Sequence, residues 1–101
     1  MHVAALEVEI RIPAAHSLKD RRQVVRHLVD GARQRFGVAT AEVGGQDTWQ
    51  RATLGFSVVA SSVRVATETI DAVDRYLWAQ PDIEILSAEI HWLDRSGRSI
   101  R

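Results

Sequence analysis

Residues 38–60 read VATAEVGGQDTWQRATLGFSVVA. Val38 to Val43 has the look of a short strand. Ala52 to Ala60 reads as its antiparallel partner, with Ala52, Leu54, Phe56 and Val58 on one face, because side chains alternate across a strand with period two. Gly44-Gly45 and the polar residues after them turn the chain between the two. A hairpin therefore stands in the middle of the sequence, and what flanks it sets the topology.

Before the hairpin, Ser17-Leu18-Lys19-Asp20 resembles a capping box, with Asp20 in the reciprocal position. Leu18, Val25, Leu28, Val29, Ala32 and Phe36 then fall on one helical arc, and Gly37 stands where a glycine ends a helix. Further upstream, Val3 to Ile12 alternates as a half-buried strand that Pro13 stops. After the hairpin, Ser61 or Ser62 caps a second helix with Val63, Ala66, Ile70, Val73 and Leu77 on its apolar arc, and Pro81-Asp82 ends it. Ile83 to Leu93 is the last strand, with Leu86, Ala88, Ile90 and Trp92 expected inward. Strand, helix, strand, strand, helix, strand is the split β-α-β-β-α-β pattern. Right-handed crossovers put the first and third strands at the centre of the sheet. The expected fold is α+β and ferredoxin-like, a four-stranded antiparallel sheet with two helices on one face. Residues 1–94 form the single domain, and 95–101 form a flexible tail.

The chain has 101 residues, of which 46% are hydrophobic and 26% charged, enough for one self-sufficient core. It has no cysteine, which excludes a disulfide framework, a thiol nucleophile and a Cys-ligated zinc site. Neither a signal-peptide pattern nor an apolar run of roughly 18 residues is visible, so a cytoplasmic location is expected. With 13 basic and 13 acidic residues the net charge is zero. Any nucleic-acid role must therefore come from local clustering.

One such cluster lies on the first helix. Lys19, Arg22, Arg26 and Arg33 fall within about 60° of one another on a helical wheel. Arg21 and Arg22 also sit in the first turn, where the helix dipole disfavours cations and bare amides suit an anion. The alternative is structural: the stripe pairs with Asp71 and Asp74 of the second helix, and Arg26 pairs with Asp30. The hairpin loop offers Trp49 and Arg51, residue types found at binding hot spots and able to stack on bases. Against this, Trp49 would pack under the loop while Asp47 makes an Asx turn. Glu7, Glu9, Glu89 and His91 share the open sheet face, where a solvated acidic face competes with a metal or acid–base site. That face lacks the aromatic residues on which sheet-type RNA binders stack bases. The three arginines of the tail, Arg95, Arg98 and Arg101, either follow phosphates or only solubilise a chain end. No phosphate-binding glycine loop or nucleophile elbow is present.

His16-Ser17-Leu18-Lys19-Asp20-Arg21-Arg22 and Asp47-Thr48-Trp49-Gln50-Arg51 resemble the two signatures of the YlxP-like family of bacterial domains of unknown function. Ala41-Glu42-Val43 and Ala52-Thr53-Leu54-Gly55 extend the resemblance nearly end to end, while Gly44-Gly45 departs from it. The resemblance implies a ferredoxin-like fold and no settled activity. In some bacteria the family's genes neighbour those for translation initiation and ribosome maturation, which favours an RNA or ribosomal partner.

The expected function is that of a non-enzymatic protein binding RNA or a ribosomal particle, without cofactor or metal. Its site residues would be Ser17, Lys19, Arg21, Arg22, Trp49 and Arg51. The alternatives are a protein-interaction module or homodimer, and a small-anion binder using the helix start.

Overall fold

The computed structural model describes residues 1–45 and 48–93. The elements follow the expected order: β1 (His2–Arg11), α1 (Leu18–Phe36), β2 (Ala39–Gly44), β3 (Arg51–Ala60), α2 (Val63–Trp78) and β4 (Glu84–Leu93). The sheet order is β2-β3-β1-β4, with every neighbouring pair antiparallel. The fold is the α+β, ferredoxin-like arrangement that the central hairpin implies.

Each helix begins where a side chain satisfies its free amides. Ser17 is extended (φ −157°, ψ 165°), and its Oγ accepts the amide of Asp20 at 3.1 Å. The Asp20 carboxylate reaches back and accepts the amide of His16, also at 3.1 Å. This is the reciprocal logic of a capping box shifted by one residue. Gly37 ends α1 in the left-handed region at φ 67° and donates its amide to Arg33. Of the two candidate caps for α2, Ser62 is the one used, accepting the amide of Val65.

The core lies between the sheet and the helices. Ala4, Leu6, Val8 and Ile10 of β1 meet Ala52, Leu54 and Phe56 of β3, and Leu28, Ile70, Val73 and Leu77 close it from above. The helices meet through Tyr76, whose hydroxyl donates to the Leu28 carbonyl at 3.2 Å. A methyl group at Gly31 would collide with that hydroxyl. Phe36 packs edge-on against the Tyr76 ring, and the Arg35 guanidinium lies over it at 5.0 Å.

Three expectations about faces need correction. Leu18 is exposed, and the buried position at that end of α1 belongs to Arg21. Val63, expected on the α2 arc, is also exposed. In β4, Trp92 packs against the core, but Leu86 and Ile90 are 42% and 40% exposed and Ala88 is exposed. The register of β1 against β4 shifts between Glu9 and Ile10, so that Ile85 rather than Leu86 stands opposite Ile10. The rest follows from helix placement: α2 lies over β3 and β1 and barely reaches β4.

Candidate nucleic-acid interface

The start of α1 and the β2–β3 hairpin meet at one end of the sheet, and Arg21 joins them. Its side chain occupies the apolar arc of α1, seven residues before Leu28, and Arg21 is only 5% exposed. Its Nε donates to the Arg51 carbonyl and its Nη2 to the Gly45 carbonyl, both at 2.9 Å. The same Nη2 pairs with the Glu42 carboxylate. Glu42 stands opposite Leu54, on the core-facing side of β2. A buried guanidinium needs its donors satisfied, and this one finds a carboxylate and two carbonyls. Gly45 meets Arg21 in a conformation only glycine tolerates: its φ is 80°, and an added Cβ would lie 3.0 Å from the Ala52 backbone.

Gln50 makes a second tie. Its carbonyl accepts the Ile12 amide at 2.8 Å, and its side-chain amide approaches the carbonyls of Pro13 and Ala15 at 3.4 Å. The loop carrying Trp49 is thereby held against the connection leading into α1. Trp49 itself is 50% exposed, so the alternative in which it packs under the loop does not hold. The Asx turn expected of Asp47 lies outside the described residues, as does the arginine tail.

The six residues picked out from the sequence separate into two groups. Lys19 and Arg22 are exposed on α1, and with Gln23 and Arg26 they line a hollow of about 230 Å³. Among the described residues, none of these three cations has an ion-pair partner. Arg21 faces inward, and the Ser17 hydroxyl is engaged in capping. Arg51 contributes only its carbonyl to this end. Its guanidinium turns to the open sheet face and binds Glu9 Oε1 at 2.6 Å. The correction for Arg51 follows from period two: it faces the same way as Thr53 and Gly55, away from the helices.

The structural alternative for the basic stripe also changes. Asp30 pairs with Arg33 at 2.6 Å rather than with Arg26. Among the described residues no ion pair joins α1 to α2, and neither Asp71 nor Asp74 enters one. Tyr76 and Gly31 mark the flank of α1 turned to α2. On the helical wheel Lys19, Arg22 and Arg26 project from the other flank. The hollow they line is therefore on the β2 side of the molecule, out of reach of Asp71 and Asp74.

On the open face, His91 Nε2 lies 3.3 Å from Glu7 Oε1 and 3.5 Å from Glu89 Oε2, and Arg11 pairs with Glu84 at 3.0 Å. Among the described residues no group of three or more acidic or histidine side chains is arranged to hold a metal ion. The face reads as a solvated sheet surface whose carboxylates have local partners.

A family model described as "Protein of unknown function (DUF503)" matches residues 3–90. The chain belongs to this family. Within it, the chain is 37% identical over 87 residues to the "Uncharacterized protein YlxP" of Bacillus subtilis (strain 168), covering 85% of this chain and 94% of that protein. The expected YlxP-like family membership is thereby established. The structure gives those motifs a physical meaning, since the first supplies the cap and Arg21 while the second supplies the Gln50 and Arg51 backbone that receives it. Glu42 and Gln50 were absent from the sequence-derived site. An acid on the inward face of a strand, together with an arginine on an apolar helical arc, was the available signal for their pairing.

Proposed function

We propose that this domain is a non-enzymatic RNA-binding protein that contacts single-stranded or splayed RNA through the α1 flank and the Trp49 loop. The observation carrying this reading is the convergence of Lys19, Arg22 and Arg26, lining one hollow, with a half-exposed Trp49 braced at the same end of the sheet. Phosphates supply affinity to a cationic flank. An exposed aromatic ring adds sequence-tolerant stacking on unpaired bases. Arg21 and Ser17 hold the two segments in place and do not touch the ligand. The small-anion alternative would use the amides at the start of α1, where the Ser17 hydroxyl accepts the Asp20 amide and the Asp20 carboxylate accepts that of His16.

The test is a salt series of binding to single-stranded RNA and to ribosomal particles. Removing three phosphate contacts in a Lys19→Ala/Arg22→Ala/Arg26→Ala variant is expected to weaken binding and flatten the log–log salt slope by roughly two. Trp49→Ala is expected to cost about 1–3 kcal/mol with little change in slope. A wild-type chain that binds neither ligand at low salt would end this reading.

A further inference from the structure

The two edges of the sheet are not alike. β2 is short, its pairing with β3 shifts register between Glu42 and Gly44, and it ends in the Gly44–Gly45 turn held by Arg21. Such irregularity blunts an edge against pairing with another chain. β4 runs ten residues from Glu84 to Leu93, and its irregularity is confined to the start, at Leu86. From Ser87 to Leu93 it is regular and free of proline, and among the described residues no strand pairs with its outer edge. Ile90 and Ala88 on its helix-facing side are exposed because α2 stops short of them.

We infer that β4 is a self-association edge: a second copy of this chain adds its own β4 antiparallel to the first, making a continuous eight-stranded sheet across a two-fold axis through Ile90. The choice of a second copy and of this register rests on complementarity. Directly opposite residues in an antiparallel pair share a face, so a two-fold at Ile90 sets Ile90 against its counterpart and Ala88 against the partner's Trp92. On the open face the same register sets Glu89 against the partner's His91, twice. Glu89 is 57% and His91 31% exposed at the side chain, although the His91 Nε2 is itself buried beside Glu7 and Glu89 of its own chain. A two-fold at Glu89 would oppose two carboxylates, which is destabilising. One at His91 would set Glu89 against Leu93. One at Ala88 would need Leu86, where the strand is irregular. Of these registers, the one at Ile90 uses the whole regular segment and sets each carboxylate opposite an imidazole. The surface is separate from the α1 flank, so the outcome here is independent of RNA binding.

The test is the mass of the full chain by analytical ultracentrifugation, from low to high micromolar concentration. A concentration-dependent dimer is expected. Ile90→Lys should yield a monomer with an unchanged circular-dichroism spectrum, since the side chain is exposed within one copy. Glu89→Lys should weaken the dimer. The Glu89→His/His91→Glu exchange should restore it, because the Ile90 register is preserved by swapping the pair. Amide hydrogen exchange on the wild type supplies a reading that needs no substitution: those amides of residues 87–93 that point away from β1 should slow as concentration rises. A wild-type monomer throughout, or an Ile90→Lys protein that remains dimeric, overturns the inference.

Discussion

Arg21 and Arg22 are neighbours of identical chemistry with opposite roles. A helix turns about 100° per residue, so one guanidinium enters the core side while the other stays in water. Truncating Arg21 would leave the inward-facing Glu42 carboxylate and two carbonyls without their donor. Arg21→Ala is therefore expected to cost about 2–4 kcal/mol of folding stability, read as a lowered urea midpoint. Arg22→Ala should stay within about 0.5 kcal/mol of wild type. Glu42→Gln keeps an acceptor for Arg21 and should fall between the two. Equal effects of Arg21→Ala and Arg22→Ala would contradict the buried assignment. The same contrast explains the limits of the sequence reading here. Burial of an arginine depends on finding acceptors distant in sequence, and Gly45 and Arg51 lie in the hairpin, far along the chain from α1.

At the scale of the element, the α1–α2 contact runs against local helix preference. Gly31 sits inside α1, where alanine would ordinarily be favoured by about 1 kcal/mol. The Tyr76 hydroxyl occupies the space a side chain would need. Gly31→Ala is expected to destabilise the fold by about 1–3 kcal/mol, and a Tyr76→Phe change in the same chain should recover part of that loss. Tyr76 is also the only tyrosine in the sequence, which makes its titration legible. Desolvation by burial pushes its pKa above the ordinary 10.0, and the nearby Arg35 charge pulls back in part. The folded state therefore keeps the phenolic proton at pH values where the unfolded chain has released it. Stability is present in full below pH 10.0 and falls as pH rises from there towards the folded value. Alkaline titration of tyrosinate absorbance should show a midpoint above that of the unfolded chain, and Tyr76→Phe should remove this component of the alkaline stability loss.

Over the whole molecule, zero net charge conceals two unlike surfaces. Lys19, Arg22 and Arg26 project from the helix layer, while Glu7, Glu9 and Glu89 lie on the open side of the sheet with Arg51 and His91 among them. Charges separated by more than about 8 Å are largely screened at physiological salt. A Glu7→Gln/Glu89→Gln variant is therefore expected to bind RNA as the wild type does at that ionic strength, whereas the triple change on α1 weakens binding. Affinity that rose with the open-face change alone would move the proposed contact surface to the sheet.

Period-two alternation in residues 3–12 and 52–60, the two serine caps, Gly37 and the central hairpin fixed element order and topology without any tertiary information. These signals are local: a cap bonds three residues ahead, and a strand's buried face shows in every second side chain. The membership of Lys19, Arg22 and Trp49 in one end of the molecule was equally legible, because topology alone brings the first helix and the hairpin together. Tertiary structure decided what local pattern leaves open. It turned Arg51 to the far face of the sheet, gave Arg21 to the core in place of Leu18, and left Ile90 and Leu86 uncovered. Each of these depends on how far a helix reaches across the sheet, on a register shift in β4, or on which distant carbonyl meets a guanidinium. Those quantities belong to pairs of elements and are carried by no single stretch of sequence.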